Sequence, residues 1–521
     1  MVSQIVSTFS KFPSWVPRSS AVVNTLVLAT SFSTAAVLGY DASMMNALNI
    51  LPSYTDYFHL SAATLGLNSG IVWIGAIVGP ICLVKVPDVI GRKPAIFYCA
   101  LVAMLGSGLQ AASQNIAMFL VARFILGLGI GGTYVSAPLL IAEVLPLKYR
   151  SIGLGAFTDL YYVGGLLSAG ITYGTAQMNS TWAWRLPSLL QIFFTLISVM
   201  CLPWVPESPR FLAHQGRQDE ALLAVAQSCS NSDTSAPEAQ AQLLQICQAL
   251  ELEKHVEAPS LKQIVTTPAL RKRMIIVWTV AAFSMLTGSN LFSYYLGTAL
   301  TNAGITNSTT QLEINIILNS LCLVISIAGT FLANRLGRKL LAIASTVGCM
   351  VFLFCIGALT KYYGTSTNTS AIYATVAMIF LAQGSYSFGW TPLAVMYPPE
   401  VLNYSIRGIG MTWFIVTQNS ILLIPIFAFP VAMEKIGWIT YVLNGGFDVL
   451  VIVVVAWYWV ETRNLSLEEV SGLFEPTVGE KLVGVEEAMR EAGAEGVEVL
   501  ELRDKKVAEA QVVTVKGSEN A

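Results

Sequence analysis

The run from Ala117 to Ile141 is apolar and glycine-studded, yet it carries a guanidinium, Arg123, inside it. It is long enough to cross a bilayer as one helix. An unpaired Arg at mid-membrane costs roughly 2.5–3.5 kcal/mol even on lenient insertion scales, so a partner or a water-filled cavity is required. Small residues at 127, 129 and 131–132 predict the close approach of another helix. A charged hinge follows, with Glu143 seven residues before Arg150, and the same interval separates Glu400 from Arg407.

Windows of about twenty apolar residues recur near 22–48, 64–84, 95–113, 117–141, 153–174 and 185–204. A second set lies near 273–299, 312–333, 340–360, 372–395, 409–431 and 439–459. The sequence therefore predicts an all-α polytopic membrane protein with twelve spans in two six-helix bundles. Its expected divisions are a tail at 1–21, bundles at 22–204 and 273–459, a linker at 205–272 and a tail at 460–521. Composition agrees: 12% of residues are charged and mean hydropathy is +0.63, against about 25% charged in soluble domains. The net charge of −2 gives no hint of nucleic acid. The 8 Cys lie mostly in apolar runs without CxxC or Cys/His spacing, and the 3 His fall near helix ends or loops, so no metal site or cofactor is expected. No nucleophile–base set or phosphate loop points to an enzyme.

Lys and Arg set the expected orientation. Lys85, Arg92 and Lys93 follow the second window, Lys148 and Arg150 the fourth, Arg335, Arg338 and Lys339 the eighth, and Arg407 the tenth. The positive-inside rule places these turns and both termini in the cytosol. Sequons at Asn179, Asn307 and Asn368 fall in three outside loops and are candidate glycosylation sites. No cleavable leader precedes the first window, which reads as a retained helix. The linker predicts short amphipathic helices over Asp219–Gln227 and Glu238–Glu253. The tail from about Glu475 is expected to be solvated.

The cytosolic signals are duplicated. Asp88-Val89-Ile90-Gly91-Arg92-Lys93 recurs as Asn334-Arg335-Leu336-Gly337-Arg338-Lys339, and Pro206-Glu207-Ser208-Pro209-Arg210 corresponds to Val460-Glu461-Thr462-Arg463. The order within each half is the same, which predicts parallel repeats about an axis along the membrane normal. With Gly39-Tyr40-Asp41, RFILGLGIGG at 123–132, WRLPSLLQ at 184–191, PESPRFL at 206–212, Tyr294-Tyr295 and ETRNLSLEE at 461–469, the set resembles the sugar porter branch of the major facilitator superfamily, the fungal lactose permeases and hexose transporters in particular. The resemblance spans roughly residues 22–475. It implies a plasma-membrane transporter with a midplane cavity, working by alternating access.

Three constellations follow. Asp88, Arg92, Glu143, Arg150, Glu207, Arg210, Arg338, Glu400, Arg407 and Glu461 sit at helix ends, where ion pairs would hold the cytosolic side shut. Asp41 and Arg123 are a charged pair within the spans of the first bundle; protonating the acid dissolves the pair, which would couple proton entry to a shape change. The resemblance assigns them that role in proton symporters, although a structural pair in a facilitator has the same appearance. Asn290 and Tyr294 share a helix face at i, i+4, and with Tyr295, Gln418, Asn419, Asp159, Gln191 and Trp390 they are candidate contacts for a mono- or disaccharide. The chain departs from the family at Ser284-Met285, Val395 and Phe429, and at Asp159 or Thr158 where a Gln is usual. Fewer amides suit a less polar substrate, so a facilitator and a secondary-metabolite carrier stand beside the sugar:proton symporter. A nutrient receptor is a more distant alternative.

Overall fold

The computed structural model describes residues 14–60, 62–83, 86–255, 261–363, 368–402, 406–463, 470 and 473–474. In chain order the long helices are α1 (Ser20–Leu48), α2 (Ala62–Leu83), α3 (Arg92–Ala111), α4 (Ile116–Val144) and α5 (Leu147–Thr175). The sixth, α6, is in two pieces, Trp182–Leu190 and Ile192–Cys201, and so is α7, Pro268–Leu286 and Ser289–Asn302. Then come α8 (Ser308–Leu336), α9 (Arg338–Tyr363), α10 (Thr369–Val401), α11 (Arg407–Lys435) and α12 (Ile439–Tyr458). Eleven of these segments are long and apolar enough to cross a membrane. The twelfth expected span, α5, forms a 29-residue helix but dilutes its apolar surface with Lys148, Arg150, Asp159 and several Tyr, Thr and Ser. Its polar face turns onto protein, packing on α1, α8 and α10. The linker helices appear at Gln218–Cys229 and Pro237–His255, over the two predicted stretches.

Small residues set the helix spacing. A Cβ on Gly127 would lie 2.0 Å from the Val72 carbonyl oxygen, and one on Gly129 would lie 2.4 Å from the Ala103 nitrogen. The glycine run of α4 thus seats α2 on one side and α3 on the other at backbone contact. Without a hydrophobic force between helices in lipid, such van der Waals contact is what holds them. The halves meet through α2 with α11, α5 with α8 and α10, and α1 with the second piece of α7.

The repeat is visible atom by atom. Gly91 and Gly337 both hold a positive φ, +104° and +92°. A Cβ at either would reach 2.5 Å from Glu207 Oε2 or 2.7 Å from Glu461 Oε2. The next backbone N–H in each half, Arg92 or Arg338, donates to that glutamate at 2.9 and 2.8 Å.

Candidate functional site

Where α3 meets α4, Arg92 pairs with Glu143 at 2.9 Å; where α9 meets α10, Arg338 pairs with Glu400 at 2.7 Å. Ser208 Oγ donates to Glu143, and Thr462 Oγ1 donates to Glu400 at 2.6 Å. Each cluster is completed by the segment that leaves its own half. Burial raises the Glu207 carboxyl above its ordinary range, while the Ser208 N–H and the Lys93 ammonium pull the other way. The repeated Glu–Arg interval does not mark a hydrogen-bonded Glu143–Arg150 pair. The acid turns to Arg92, and Arg150 Nη2 points back to its own hinge, 3.5 Å from the Leu145 carbonyl oxygen. The side chains of Asp88 and Arg407 lie outside the described residues.

Asp41 of α1 and Arg123 of α4 do meet. The guanidinium donates from Nη1 and Nη2 to the two carboxylate oxygens, each at 3.0 Å, with side-chain exposures of 1% and 3%. Such bidentate, charge-assisted pairs are the stronger class. Arg123 Nε donates to the Asn68 carbonyl oxygen at 2.9 Å, so the fork is fully occupied on its carboxylate side. Gln191, at the break in α6, donates from Nε2 to Asp41 Oδ1 at 3.3 Å. That places Gln191 beside the acid; it does not line the cavity.

A cavity of about 980 Å³, mouth included, lies between the halves and is lined from α1, α2, α4, α5, α7, α10 and α11. Of the expected contacts, Asn290, Tyr294, Gln418 and Asn419 line it. Asn290 also caps the break in α7, donating to the Met285 carbonyl oxygen at 2.6 Å. Three others are turned away. The Tyr295 hydroxyl donates to the Ile426 carbonyl oxygen at 2.6 Å, because its backbone leaves helical geometry (φ −131°). Trp390 is fully buried against α9, donating to Thr346 Oγ1 at 3.0 Å. Asp159 faces across the halves, accepting from Thr330 Oγ1 of α8 at 2.9 Å, while its neighbour Thr158 lines the cavity. Of the departures from family pattern, Met285 is at the wall, whereas Val395 and Phe429 are not among its lining residues.

Sequence reasoning missed Trp73, Tyr134, Tyr161, Tyr162, Gln383 and Tyr386, all cavity-lining. Gln383 and Tyr386, a turn apart in the middle of an apolar window, were the readable signal. Gln383 Oε1 has no hydrogen-bond partner among the described residues, so an acceptor is held ready at the wall, while the Trp73 indole lies edge-on to the Tyr294 ring. Tyr161 and Tyr294, both at the cavity wall, fall within the electrostatic reach of Asp41. At the sequon end, Asn46 of α1 donates to the Phe292 carbonyl oxygen at 3.3 Å and accepts from the Leu296 N–H at 3.2 Å, tying down the second piece of α7.

Two bundles in parallel repeat, a central cavity walled by both, and a buried ion pair behind one wall define a polytopic transporter of the major facilitator fold. Residues 26–474 match the family model described as "Sugar (and other) transporter", and the chain belongs to that family. It is 26% identical over 458 residues to a high-affinity glucose transporter of Kluyveromyces lactis, covering 84% of this chain and 82% of that one. It is 28% identical over 456 residues to the MFS-type transporter oryC of Aspergillus oryzae, covering 85% and 84%. Among solved structures it resembles the proton:xylose symporter XylE bound to 6-bromo-6-deoxy-D-glucose, with a TM-score of 0.72 at 20% identity, covering 88% of this chain and 100% of that one. At that identity the likeness is one of fold.

Proposed function

We propose that the protein is a sugar:proton symporter of the plasma membrane, with both termini in the cytosol, that works by alternating access. The single observation that carries this reading is the bidentate Asp41–Arg123 pair, almost wholly buried. An ionised acid paired this closely holds α1 to α4; the protonated acid releases the guanidinium, and the first bundle is free to repack. Tyr161 and Tyr294 belong both to the cavity wall and to the surroundings of the acid, so cargo and proton are felt by the same side chains. Amide and indole groups at Asn290, Gln383, Gln418 and Trp73 suit a polyhydroxylated ring, with tyrosine faces for its apolar side. The similar transporters of glucose and hexoses support a hexose or a disaccharide as cargo.

In this reading the Arg92–Glu143 and Arg338–Glu400 clusters are the gate. Their pairs join helices of one half, so they set the shape of each half's end.

A second reading, a carrier of a less polar metabolite, is favoured by Met285 at the wall, where the family usually places Gln nearby. One experiment separates the readings. Uptake of radiolabelled glucose, xylose and lactose should be concentrative and collapse with a protonophore. Uptake that equilibrates without accumulation indicates a facilitator, and absence of sugar uptake indicates the metabolite carrier.

A further inference from the structure

The symport reading leaves one intramembrane acid unused. Asp448 sits in the middle of α12 and is 0% exposed, and both of its carboxylate oxygens are buried without a hydrogen-bond partner among the described residues. Asp41 has a guanidinium and Asp159 a hydroxyl; Asp448 has neither. Its surroundings explain why. α12 packs on α9, and more lightly on α7 and α11. From α9 the titratable group within electrostatic reach is the Cys349 thiol, itself buried. From α7 the ring of Phe283 meets Phe447, the residue before the acid. The charged residues of these helices lie at their ends: Arg338, Lys339 and Lys361 on α9, Arg271, Lys272 and Arg273 on α7, and Arg407, Glu434 and Lys435 on α11. Each is about two turns or more from the level of Asp448. An isolated ionised carboxylate in such a site is too costly to persist, so the neutral, protonated form is the one the packing admits.

Asp448 also occupies a mechanical position. Asn444, one turn earlier on the same face, donates to the Leu286 carbonyl oxygen at 2.9 Å, where the first piece of α7 ends. Gly288, in the break, leaves room for Asn444 Oδ1: a Cβ there would lie 2.5 Å away. The face of α12 that carries Asp448 is therefore the face that clamps the break in α7, and the second piece of α7 presents Asn290 and Tyr294 to the cavity.

We infer that Asp448 is a second proton-binding site, separate from Asp41–Arg123, that holds its proton while α12 clamps the break in α7 and exchanges it with water when that packing opens. It belongs to the half that lacks an Asp–Arg pair of its own. The proton it binds sets which arrangement of the break is favoured, and this holds whether or not sugar movement is coupled to protons.

The test needs no substrate. The full-length protein reconstituted in lipid is compared with its Asp41→Asn, Asp159→Asn and Asp448→Asn variants by infrared difference spectroscopy. The stretch of an undissociated carboxylic acid is expected at neutral pH in the wild type and in the first two variants, and should be diminished in Asp448→Asn. It should shift on transfer to heavy water and fade as pH rises. An undiminished band in Asp448→Asn overturns the proposal, because the acid is then ionised. A band that neither fades nor shifts also overturns it, because the acid is then a fixed part of the packing. Should Asp448→Asn not fold, the same titration on the Asp41→Asn/Asp159→Asn/Glu207→Gln variant decides, since Asp448 is then the one aspartate left in the apolar windows and the buried Glu207 carboxyl is gone; a missing or static band there is equally fatal.

Discussion

Replacing Asp41 with Asn tests the coupling reading at the atom that carries it. Asn keeps the shape and one carbonyl oxygen, so Arg123 retains one acceptor on that side together with the Asn68 carbonyl oxygen at 2.9 Å. The variant loses one of two charge-assisted hydrogen bonds, each worth roughly 1.5–3 kcal/mol, and the counter-charge with it. It can no longer alternate between ionised and neutral. For each proton carried, one pH unit supplies about 1.4 kcal/mol and 100 mV about 2.3 kcal/mol. Together these support accumulation of about 500-fold at 25 °C. In proteoliposomes with both gradients imposed, the wild type should concentrate labelled glucose well above equilibrium, while Asp41→Asn should stop at a ratio of one. Counterflow exchange, which needs no net proton movement, should survive in the variant. Uphill accumulation by Asp41→Asn would refute the reasoning. Loss of counterflow along with accumulation would reassign the pair to folding.

Gly91→Ala and Gly337→Ala should each lower thermal stability by at least about 1–2 kcal/mol, the cost of a Cβ in left-handed backbone. The two losses should match, since either Cβ meets a glutamate oxygen within 2.7 Å; a neutral member of the pair would contradict the atomic repeat. Thr330→Val removes the Asp159 hydroxyl donor at 2.9 Å, leaving Ser326 of the same helix as the nearby hydroxyl, and should destabilise this arrangement of the halves by about 1 kcal/mol, read as faster cysteine labelling along the α5–α8 seam. Gln383→Ala should raise KM for a sugar about tenfold or more with little change in stability, whereas Trp390→Phe should leave KM unchanged and lower the melting temperature.

Much of the fold was legible because lipid imposes simple rules. Twelve apolar windows, alternating Lys/Arg turns and motifs repeated in register left little choice of architecture. The meeting of Asp41 and Arg123 was legible too, because two opposite charges in apolar spans of one half have few better options. The cavity was read less well. Neighbouring residues on a helix point about 100° apart, so Thr158 and Asp159 could not be told apart without knowing where α8 packs. Tyr295 was lost to a kink at its own backbone, within the second piece of α7, which turns it away from the face that Asn290 and Tyr294 share. Gln191 sits at the break in α6, and spacing alone does not reveal that it turns to Asp41. The cytosolic charges were legible as helix-end groups but their pairing was not: contact between α3 and α4 brings Arg92 to Glu143, while Arg150 turns to its own hinge.

Each basic-end cluster is closed by residues just downstream of its own bundle, Glu207 and Ser208 for the first and Glu461 and Thr462 for the second. The linker helix Gln218–Cys229 leans on the first bundle as well, with the Ser228 carbonyl oxygen accepting from Asn24 at 3.1 Å. Each of these four cluster hydrogen bonds therefore joins groups of one half and its own downstream segment. A chain cut between residues 255 and 261 would leave Glu207 and Ser208 with the first bundle and Glu461 and Thr462 with the second, so each end would keep the partners named here.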